Sequence, residues 1–309
     1  MILTVTLNPA VDKTCQVARL VKGQVNRMTE CKNLAGGKGI NVTKVLRQYK
    51  EEVNATGFLG GYNGMFISDE LERIGAKSAF TKTARETRTN INIISEDGYV
   101  TEVLEPGPEI SEQERINFLD QFYALVNESE IIVISGSMAP GLEEDYYAKM
   151  IEICHQAGKK VMVDTSGEPL KKAIEAKPYL IKPNKRELEY VVGKRLDNEE
   201  ELLAAAKELK NKGIEVVVVT MGAKGLICAT KEQTYRVVPP KVKTLNTVGS
   251  GDCAIAVLTM GIKNREPFEE VLKKAVALSA ANVTTLENGQ IPMEKVREIY
   301  REVEVFKFS

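Results

Sequence analysis

A chain of 309 residues is long enough to bury a large hydrophobic core, so it needs neither disulfides nor a structural metal for stability. Its 42 basic and 43 acidic residues give a net charge of −1, which argues against a broad nucleic-acid-binding surface. Five cysteines without a CxxC pair and a single histidine predict a reduced, cytoplasmic protein without a structural zinc site. The sequence has no basic and apolar leader and no apolar run of membrane-spanning length, so neither a signal peptide nor a membrane span is expected.

The chain opens with a predicted strand. Residues Ile2 to Leu7 alternate between apolar and polar side chains, and Pro9 cannot continue a strand ladder. Asp12 is therefore expected just beyond the carboxyl edge of a sheet, where open α/β folds bind their ligands. An aspartate that is only solvated in a loop explains the same pattern.

A glycine-rich segment follows, and it opens a helical pattern. In Ala35-Gly36-Gly37-Lys38-Gly39-Ile40-Asn41 the glycines allow the backbone to approach a small polar ligand, and Lys38 adds a positive charge. The segment is not a Walker A motif, because no serine or threonine follows the lysine. It is not the dinucleotide fingerprint either, because no apolar strand precedes it and Val42 replaces the third glycine.

A strand at residues 53–59 and a helix at 63–74 come next, followed by a hairpin around Asp97-Gly98. Its first strand places Arg88, Asn90 and Asn92 on one face, where they either bind a sugar or its phosphate or form a solvated outer face. A hairpin alone is marginally stable. We therefore expect it to join strands from residues 13–34 in a small sheet over the site.

From about residue 111 helices and strands alternate regularly. The strands are short, β-branched and continuously apolar, which is typical of a parallel sheet covered on both faces and joined by right-handed crossovers. The predicted helices of this region and of the carboxyl-terminal part cover residues 111–126, 143–156, 169–175, 186–192, 198–212, 252–262, 268–286 and 293–302.

Polar residues recur where the predicted strands end, and those ends meet at one edge of a parallel sheet. They are Asp12, Ser137, Asp164, Lys182, Asn184 and Gly222. Asn184 and Glu187 lie one helical turn apart, so they either act through water on a hydrated Mg²⁺ or form a helix N-cap with its first-turn glutamate.

The segment Thr247-Val248-Gly249-Ser250-Gly251-Asp252 directly precedes an apolar helical run. A glycine turn at a helix start exposes unpaired N–H groups and the positive end of the helix dipole, which favours phosphate. Asp252 then either caps the helix or acts as the general base of a phosphoryl transfer to an alcohol. Because His155 is the single histidine and is expected at an ordinary mid-helix position, the base has to be a carboxylate.

The two glycine-rich segments, at 36–41 and 246–252, resemble the paired signatures of the PfkB (ribokinase-like) carbohydrate kinases. Further landmarks of that family follow in order along essentially the whole chain: Thr4 to Asp12, Thr87-Arg88-x-Asn90, Ser135-Gly136-Ser137, Lys182-Pro183-Asn184-x-x-Glu187 and Gly222-x-x-Gly225. Asn246 and Ser250 depart from the residues that many relatives have, Asp and Ala. The first departure weakens any role for position 246.

The resemblance implies one α/β domain over residues 1–309, a three-layer α/β/α sandwich on a mostly parallel sheet. Residues of about 10–34 and 85–106 would form a small β-sheet lid, through which the chain pairs as a homodimer. ATP and Mg²⁺ are the implied cofactors, and neither nucleic acid nor membrane is expected as a partner.

The resemblance also implies roles for individual residues. Asp252 would be the base, and Gly249, Ser250 and Gly251 would complete an anion hole. The implied sugar-phosphate residues are Asp12, Arg27, Gly37, Lys38, Asn41, Arg88, Asn90 and Ser137, with Arg27 acting across the dimer. The implied nucleotide residues are Lys182, Asn184, Glu187, Thr220, Gly222, Gly225, Thr247 and Asn282, of which Asn184 and Glu187 would hold Mg²⁺ through water.

The phosphosugar branch of the family gives the best resemblance, which implies ATP-dependent phosphorylation of a ketohexose phosphate. Fructose 1-phosphate is preferred over tagatose 6-phosphate because of the segment Thr87-Arg88-Thr89-Asn90. The cluster of Arg27, Lys38 and Arg88 argues against a neutral sugar or a nucleoside as acceptor. A non-catalytic sugar-phosphate sensor is a further alternative, although Asp252 argues against it, and the missing strand before each glycine motif argues against an oxidoreductase.

Overall fold

A computed structural model describes residues 1–285 and 291–308. Its helices within that part of the chain are α1 Lys38–Gln48, α2 Gly61–Arg73, α3 Glu112–Glu128, α4 Tyr146–Gln156, α5 Gly167–Glu175, α6 Lys185–Val192, α7 Glu199–Asn211, α8 Ser250–Lys263, α9 Phe268–Asn282 and α10 Met293–Glu302. Each predicted helix is confirmed to within a few residues at either end, although residue 286, the predicted end of α9, lies outside the described residues.

The strands are β1 Ile2–Thr6, β2 Ala10–Val17, β3 Glu30–Gly36, β4 Val53–Leu59, β5 Lys77–Ser78, β6 Thr81–Lys82, β7 Arg88–Ser95, β8 Val100–Leu104, β9 Ile131–Ser135, β10 Lys160–Asp164, β11 Leu180–Ile181, β12 Val216–Thr220, β13 Leu226–Thr230, β14 Thr234–Val238 and β15 Glu304–Phe308. The central sheet has the order β15-β14-β13-β12-β11-β10-β9-β1-β4-β5, and β6 also pairs with β4. All pairs from β12 to β5 are parallel.

The central sheet is covered on both faces, as its apolar strands predict. Along β9, Ile131 and Val133 pack with α1, α8, α9 and α10, whereas Ile132 and Ile134 pack with the opposite layer from α3 to α7. Alternate side chains of one strand point to opposite faces, so a continuously apolar strand requires two apolar layers. The expected three-layer α/β/α architecture is thus confirmed.

The edge formed by β12, β13, β14 and β15 is antiparallel, which the sequence analysis did not predict. Only residues 221–225 join β12 to β13. A parallel neighbour needs a crossover of about a dozen residues or more, so this short connection forces the chain to reverse. The alternating segment Glu304–Phe308, which forms the edge strand β15, was also missed.

A second sheet has four strands in the order β3-β2-β7-β8. The predicted hairpin forms its β7 and β8, and residues 10–17 and 30–36 supply the other two strands, as expected. Asp12 follows the end of β1, as expected, but it lies within β2, which excludes the alternative of an aspartate solvated in a loop. Its backbone pairs with β3 on one side and β7 on the other, so tertiary pairing extends the chain directly after Pro9. None of the described helices is both long and apolar enough to cross a bilayer.

Candidate active site

A cleft of about 920 Å³ lies at the carboxyl edge of the central sheet, next to one face of the four-stranded sheet. Thr6, Asp164 and Thr220, the last residues of β1, β10 and β12, all line it. Most of the predicted site residues line it as well: Asp12, Gly37, Lys38, Asn41, Arg88, Asn90, Ser137, Lys182, Asn184, Glu187, Thr220, Gly222, Gly225, Thr247, Gly249, Ser250, Gly251 and Asp252. Residues up to 240 positions apart in the sequence therefore meet at one sheet edge.

Two predicted site residues lie elsewhere. Arg27 is exposed on the loop between β2 and β3 and does not line the cleft of the single chain. Asn282 is buried at the end of α9, where its Nδ2 donates a hydrogen bond of 2.8 Å to the carbonyl oxygen of Val248. This bond holds the segment before α8, and the expected nucleotide contact of Asn282 stays a prediction.

The start of α8 faces the cleft without a side-chain cap. Its N-cap residue Gly249 has a φ of 79°, in the left-handed region that favours glycine. A Cβ at Gly251 would lie 3.1 Å from the Nζ of Lys182, so the missing side chain makes room for this ammonium group. The helix begins two residues earlier than predicted, and without a side-chain cap its first N–H groups are available to an anion.

Asp252 is buried in the first turn of α8 and does not cap it. Its Oδ2 accepts a hydrogen bond of 2.8 Å from Asn41 Nδ2 at the start of α1. Burial, together with the negative charge of Asp164, raises the pKa of Asp252 from 3.8 to about 6. Of the two interpretations of this residue, the geometry thus rules out the cap, and the role of general base stays a prediction.

Asp164 lies at the end of β10, and the sequence predicts its position at a strand end but no role for it in the site. It is 1% exposed and lies 3.2 Å from Lys38 Nζ and 3.1 Å from Lys182 Nζ. Burial alone would raise its pKa, but the two ammonium groups outweigh this effect and lower it. The charge of Asp164 in turn raises the pKa of Lys38. Its position at a strand end was the signal that could have identified it.

The four-stranded sheet contributes a second polar group to the cleft. Asn90 Nδ2 donates a hydrogen bond of 2.9 Å to Asp12 Oδ1, and burial raises the pKa of Asp12. Gly36 is required beside this pair, because a Cβ there would lie 2.0 Å from the Asp12 carboxylate. Arg88, Asn90 and Asn92 all line the cleft, which confirms the predicted common face and excludes the solvated alternative.

Arg88 also holds the backbone directly before β2 through hydrogen bonds. Its Nη2 and Nη1 each donate a hydrogen bond of 2.9 Å, to the carbonyl oxygens of Asn8 and Glu105, and its Nε donates a longer bond of 3.4 Å to Pro9. Burial lowers its pKa, although it remains a cation at neutral pH. A guanidinium group has five N–H donors, so donors remain for a ligand.

Asn184 and Glu187 form a capping box at the start of α6. Asn184 Oδ1 accepts a bond of 3.0 Å from the backbone N–H of Glu187, and Glu187 Oε2 accepts one of 2.8 Å from that of Asn184. The local capping interpretation is thus confirmed, and both residues also line the cleft. Over residues 1–285 and 291–308, no group of three or more His, Cys, Asp or Glu side chains is arranged to hold a metal ion.

The cleft has an apolar wall beside the glycines 222 and 225, which the sequence analysis did not identify. Its members come from the segment after β14 and from α9 and the residue after it: Pro239, Pro240, Val242, Val276, Ala280 and Val283. Val276, Ala280 and Val283 follow a spacing of four and three residues, which places them on one side of the helix. Such a wall suits a flat apolar group such as a base.

An open α/β sheet with an uncapped helix start, two lysines and a buried carboxylate in one cleft is the arrangement that a phosphotransferase requires. Residues 5–295 match the family described as pfkB family carbohydrate kinases, and the chain belongs to that family. Its acceptor is therefore an alcohol group.

Solved structures of the same size support this assignment. A putative phosphofructokinase from Staphylococcus aureus is 32% identical, with 100% of this chain and 99% of that chain covered and a TM-score of 0.87. Phosphofructokinase-2 from Escherichia coli is 28% identical over 97% of this chain and 98% of its own, with a TM-score of 0.91. A possible 1-phosphofructokinase from Thermotoga maritima is 28% identical, with both chains fully covered at 100% and a TM-score of 0.90.

Proposed function

We propose that this protein is an ATP-dependent kinase of a ketohexose phosphate, converting fructose 1-phosphate to fructose 1,6-bisphosphate. One observation carries the proposal: the buried Asp252 carboxylate lies in the first turn of an uncapped helix, in a cleft that also holds Lys38 and Arg88. The descriptions of the Staphylococcus and Thermotoga structures as phosphofructokinases favour a fructose phosphate.

In the proposed mechanism Asp252 accepts the proton of the sugar hydroxyl as that oxygen attacks the γ-phosphorus of ATP. The N–H groups at 249–252 stabilise the negative charge on the transferred phosphoryl group. Lys38 and Lys182, held by Asp164, add positive charge on the same side of the cleft. Asn41 orients the carboxylate through its hydrogen bond to Oδ2.

The sugar phosphate is assigned to the side of the cleft formed by the four-stranded sheet. The Asp12–Asn90 pair offers both acceptor and donor groups to sugar hydroxyls. Gly37 and Ser137 line the same cleft, and Arg88 supplies a cation for the acceptor's own phosphate. Arg27, exposed on its loop, is assigned to the cleft of a second subunit.

The nucleotide is assigned to the opposite end of the cleft, with its base against the apolar wall. Thr220, Gly222, Gly225 and Thr247 line that end. Asn184 and Glu187 fit an Mg²⁺ ion that keeps its water, because each capping bond uses one oxygen and the carboxylate has a second. When bound, the ion neutralises charge on the nucleotide phosphates.

An ATP-coupled assay with fructose 1-phosphate, fructose 6-phosphate and tagatose 6-phosphate tests the proposal. We expect the highest kcat/KM with fructose 1-phosphate and no comparable turnover with unphosphorylated fructose. Preference for tagatose 6-phosphate or fructose 6-phosphate would retain the kinase but reassign its acceptor. Binding of sugar phosphate without any ADP formation would instead favour a sensor.

Arg88→Ala is expected to raise KM for the sugar phosphate by about 10- to 100-fold, because a hydrogen bond to a charged group contributes about 1.5–3 kcal/mol. KM for ATP should change far less. Arg73→Ala is a matched control, since Arg73 is an exposed arginine on α2 that pairs with Glu70. An equal rise in KM for both substrates would mean that Arg88 only holds the carbonyl groups of residues 8, 9 and 105.

We also propose that the protein is a homodimer. In it, the four-stranded sheet, which we name the lid, pairs through its cleft face with the lid of a second copy of the chain. Val100 and Leu104 on β8 are 58% and 60% exposed and share a face with Asn90 and Asn92. Val100→Asp is expected to shift the protein to monomers in analytical ultracentrifugation. Val103→Asp is the control, because Val103 is similarly exposed, at 54%, on the other face of the same strand. A dimer that survives Val100→Asp but not Val103→Asp would place the interface on the face opposite the cleft and would contradict this proposal.

A further inference from the structure

The second face of the four-stranded sheet carries a pair of cysteines that the phosphotransfer chemistry does not use. Cys15 on β2 and Cys31 on β3 are directly opposite each other in the antiparallel ladder. Their Sγ atoms lie 2.7 Å apart, and Met28 Sδ lies 3.3 Å from Cys31 Sγ. The other three cysteines, Cys154, Cys228 and Cys253, are buried in the body of the protein.

The backbone already meets the requirement for a cross-link. Directly opposite residues of an antiparallel pair have Cα atoms about 4.5–5.5 Å apart. This range falls within the roughly 4.4–6.8 Å that disulfides span, so the two thiols can be joined without separating the strands. Both residues also lie on the face away from Asp12, so pairing of lids through the cleft face leaves the exposed Cys31 accessible.

The two thiols differ in a way that sets an order of reaction. Cys31 is exposed, whereas Cys15 is fully buried. Burial and the neighbouring Cys31 thiol raise the pKa of Cys15 to about 11, so Cys15 does not react first with an oxidant in solution. Cys31 is the accessible group, and Cys15 is placed to react with it next.

We propose that Cys15 and Cys31 form a reversible disulfide across β2 and β3 when the protein meets a peroxide. The Cys31 sulfur attacks a peroxide oxygen, the O–O bond breaks, and a sulfenic acid and water result. The Cys15 sulfur then attacks the sulfenic sulfur, the S–S bond forms, the S–O bond breaks, and the leaving hydroxide takes the Cys15 proton to become water. Both thiols are oxidised, hydrogen peroxide is reduced to water, and a dithiol reductant reverses the step.

The disulfide closes the loop between β2 and β3, which is where Arg27 lies, since the two cysteines are 16 positions apart. It also ties β3, which runs directly into Gly37 and α1, to the strand that carries Asp12. Oxidation thereby restrains the lid on the side of the sugar phosphate. The effect of this restraint on enzyme activity rests on the proposed function, whereas the formation of the disulfide does not.

Peptide mapping after treatment with hydrogen peroxide tests the linkage without any turnover. Trypsin places Cys15 in residues 14–19 and Cys31 in residues 28–32, so only a disulfide joins these peptides. We expect the joined peptide, its loss with dithiothreitol, and a fall in titratable thiols of the denatured protein from five to three. Cys31→Ser should abolish the joined peptide, and Cys154→Ala should leave it unchanged.

Independent oxidation of Cys31 to a sulfonic acid, or a disulfide between two subunits, would overturn the proposal. Oxidised wild type is further expected to lose kcat/KM for the sugar phosphate at least about threefold, since misplacing a positioning group by 1 Å can cost on the order of a hundredfold. Cys31→Ser treated in the same way should keep its activity. A joined peptide with no such difference would refute the restraint on the lid but would leave the kinase itself unaffected.

Discussion

Asp252→Asn is expected to lower kcat by about 10²- to 10⁴-fold, the usual contribution of a positioned general base. Asparagine has nearly the same shape and can still accept the hydrogen bond from Asn41, but it cannot take a proton at neutral pH. ATP binding, measured by titration calorimetry, should survive because the N–H groups at the start of α8 are unchanged. Asp120→Asn, an exposed aspartate on α3, should have no effect. Retained turnover would move the base to another residue.

The pH dependence of wild-type kcat provides a second test of the same carboxylate. Burial raises the pKa of Asp252 to about 6, and the base works only in its ionised form. We therefore expect kcat to fall as the pH drops through about 6, by roughly tenfold per pH unit below it. The residual activity of Asp252→Asn should lack this acid limb.

The same pKa shift predicts that Asp252→Asn does not unfold the protein. The folded state holds the Asp252 proton more tightly than the unfolded chain, where the pKa is 3.8. This carboxyl therefore favours folding most at pH values below its unfolded pKa, and that contribution is lost as the pH rises through about 6. At neutral pH the variant should melt at a temperature equal to or above that of the wild type. A lower melting temperature would mean that Asp252 is structural.

Asp164→Asn is expected to destabilise the protein by about 3–5 kcal/mol, since it leaves the nearly buried ammonium of Lys182 without its counter-charge. Lys38, whose side chain is 40% exposed, can still reach water and contributes less to the loss. Thermal and urea unfolding at pH 7 measure the change. Activity should also fall, because both lysines lose the group that positions them.

Two further measurements separate the positioning role of Asp164 from a purely structural one. The negative charge of Asp164 raises the pKa of Asp252, so the acid limb of kcat in Asp164→Asn should move below about 6. Combining Asp164→Asn with Lys182→Met removes the unpaired charge and should restore part of the stability without restoring kcat. An unmoved acid limb together with full recovery of kcat in the double variant would contradict the positioning role.

Local sequence patterns predicted the structure correctly where a single sheet face or a single turn determines it. The period-2 hairpin correctly predicted a common face for Arg88, Asn90 and Asn92, and the glycine segment correctly predicted the start of α1. The same local logic left two alternatives open at Asp12, because Pro9 ends a ladder but does not prevent a new strand from starting one residue later. It failed at β13, where the length of the connection, not the composition of the strand, sets the direction.

The order of helices and strands, the family and most of the residues around the cleft followed from the sequence, because each rests on periodicity or on a short motif. The distinction between a helix cap and a proton acceptor at Asp252 did not, nor did the ion pairs of Asp164. Both depend on which charges come within a few ångströms after residues far apart in the chain are brought together and water is excluded. Burial and charge proximity are properties of the folded chain, so only the tertiary structure decides them.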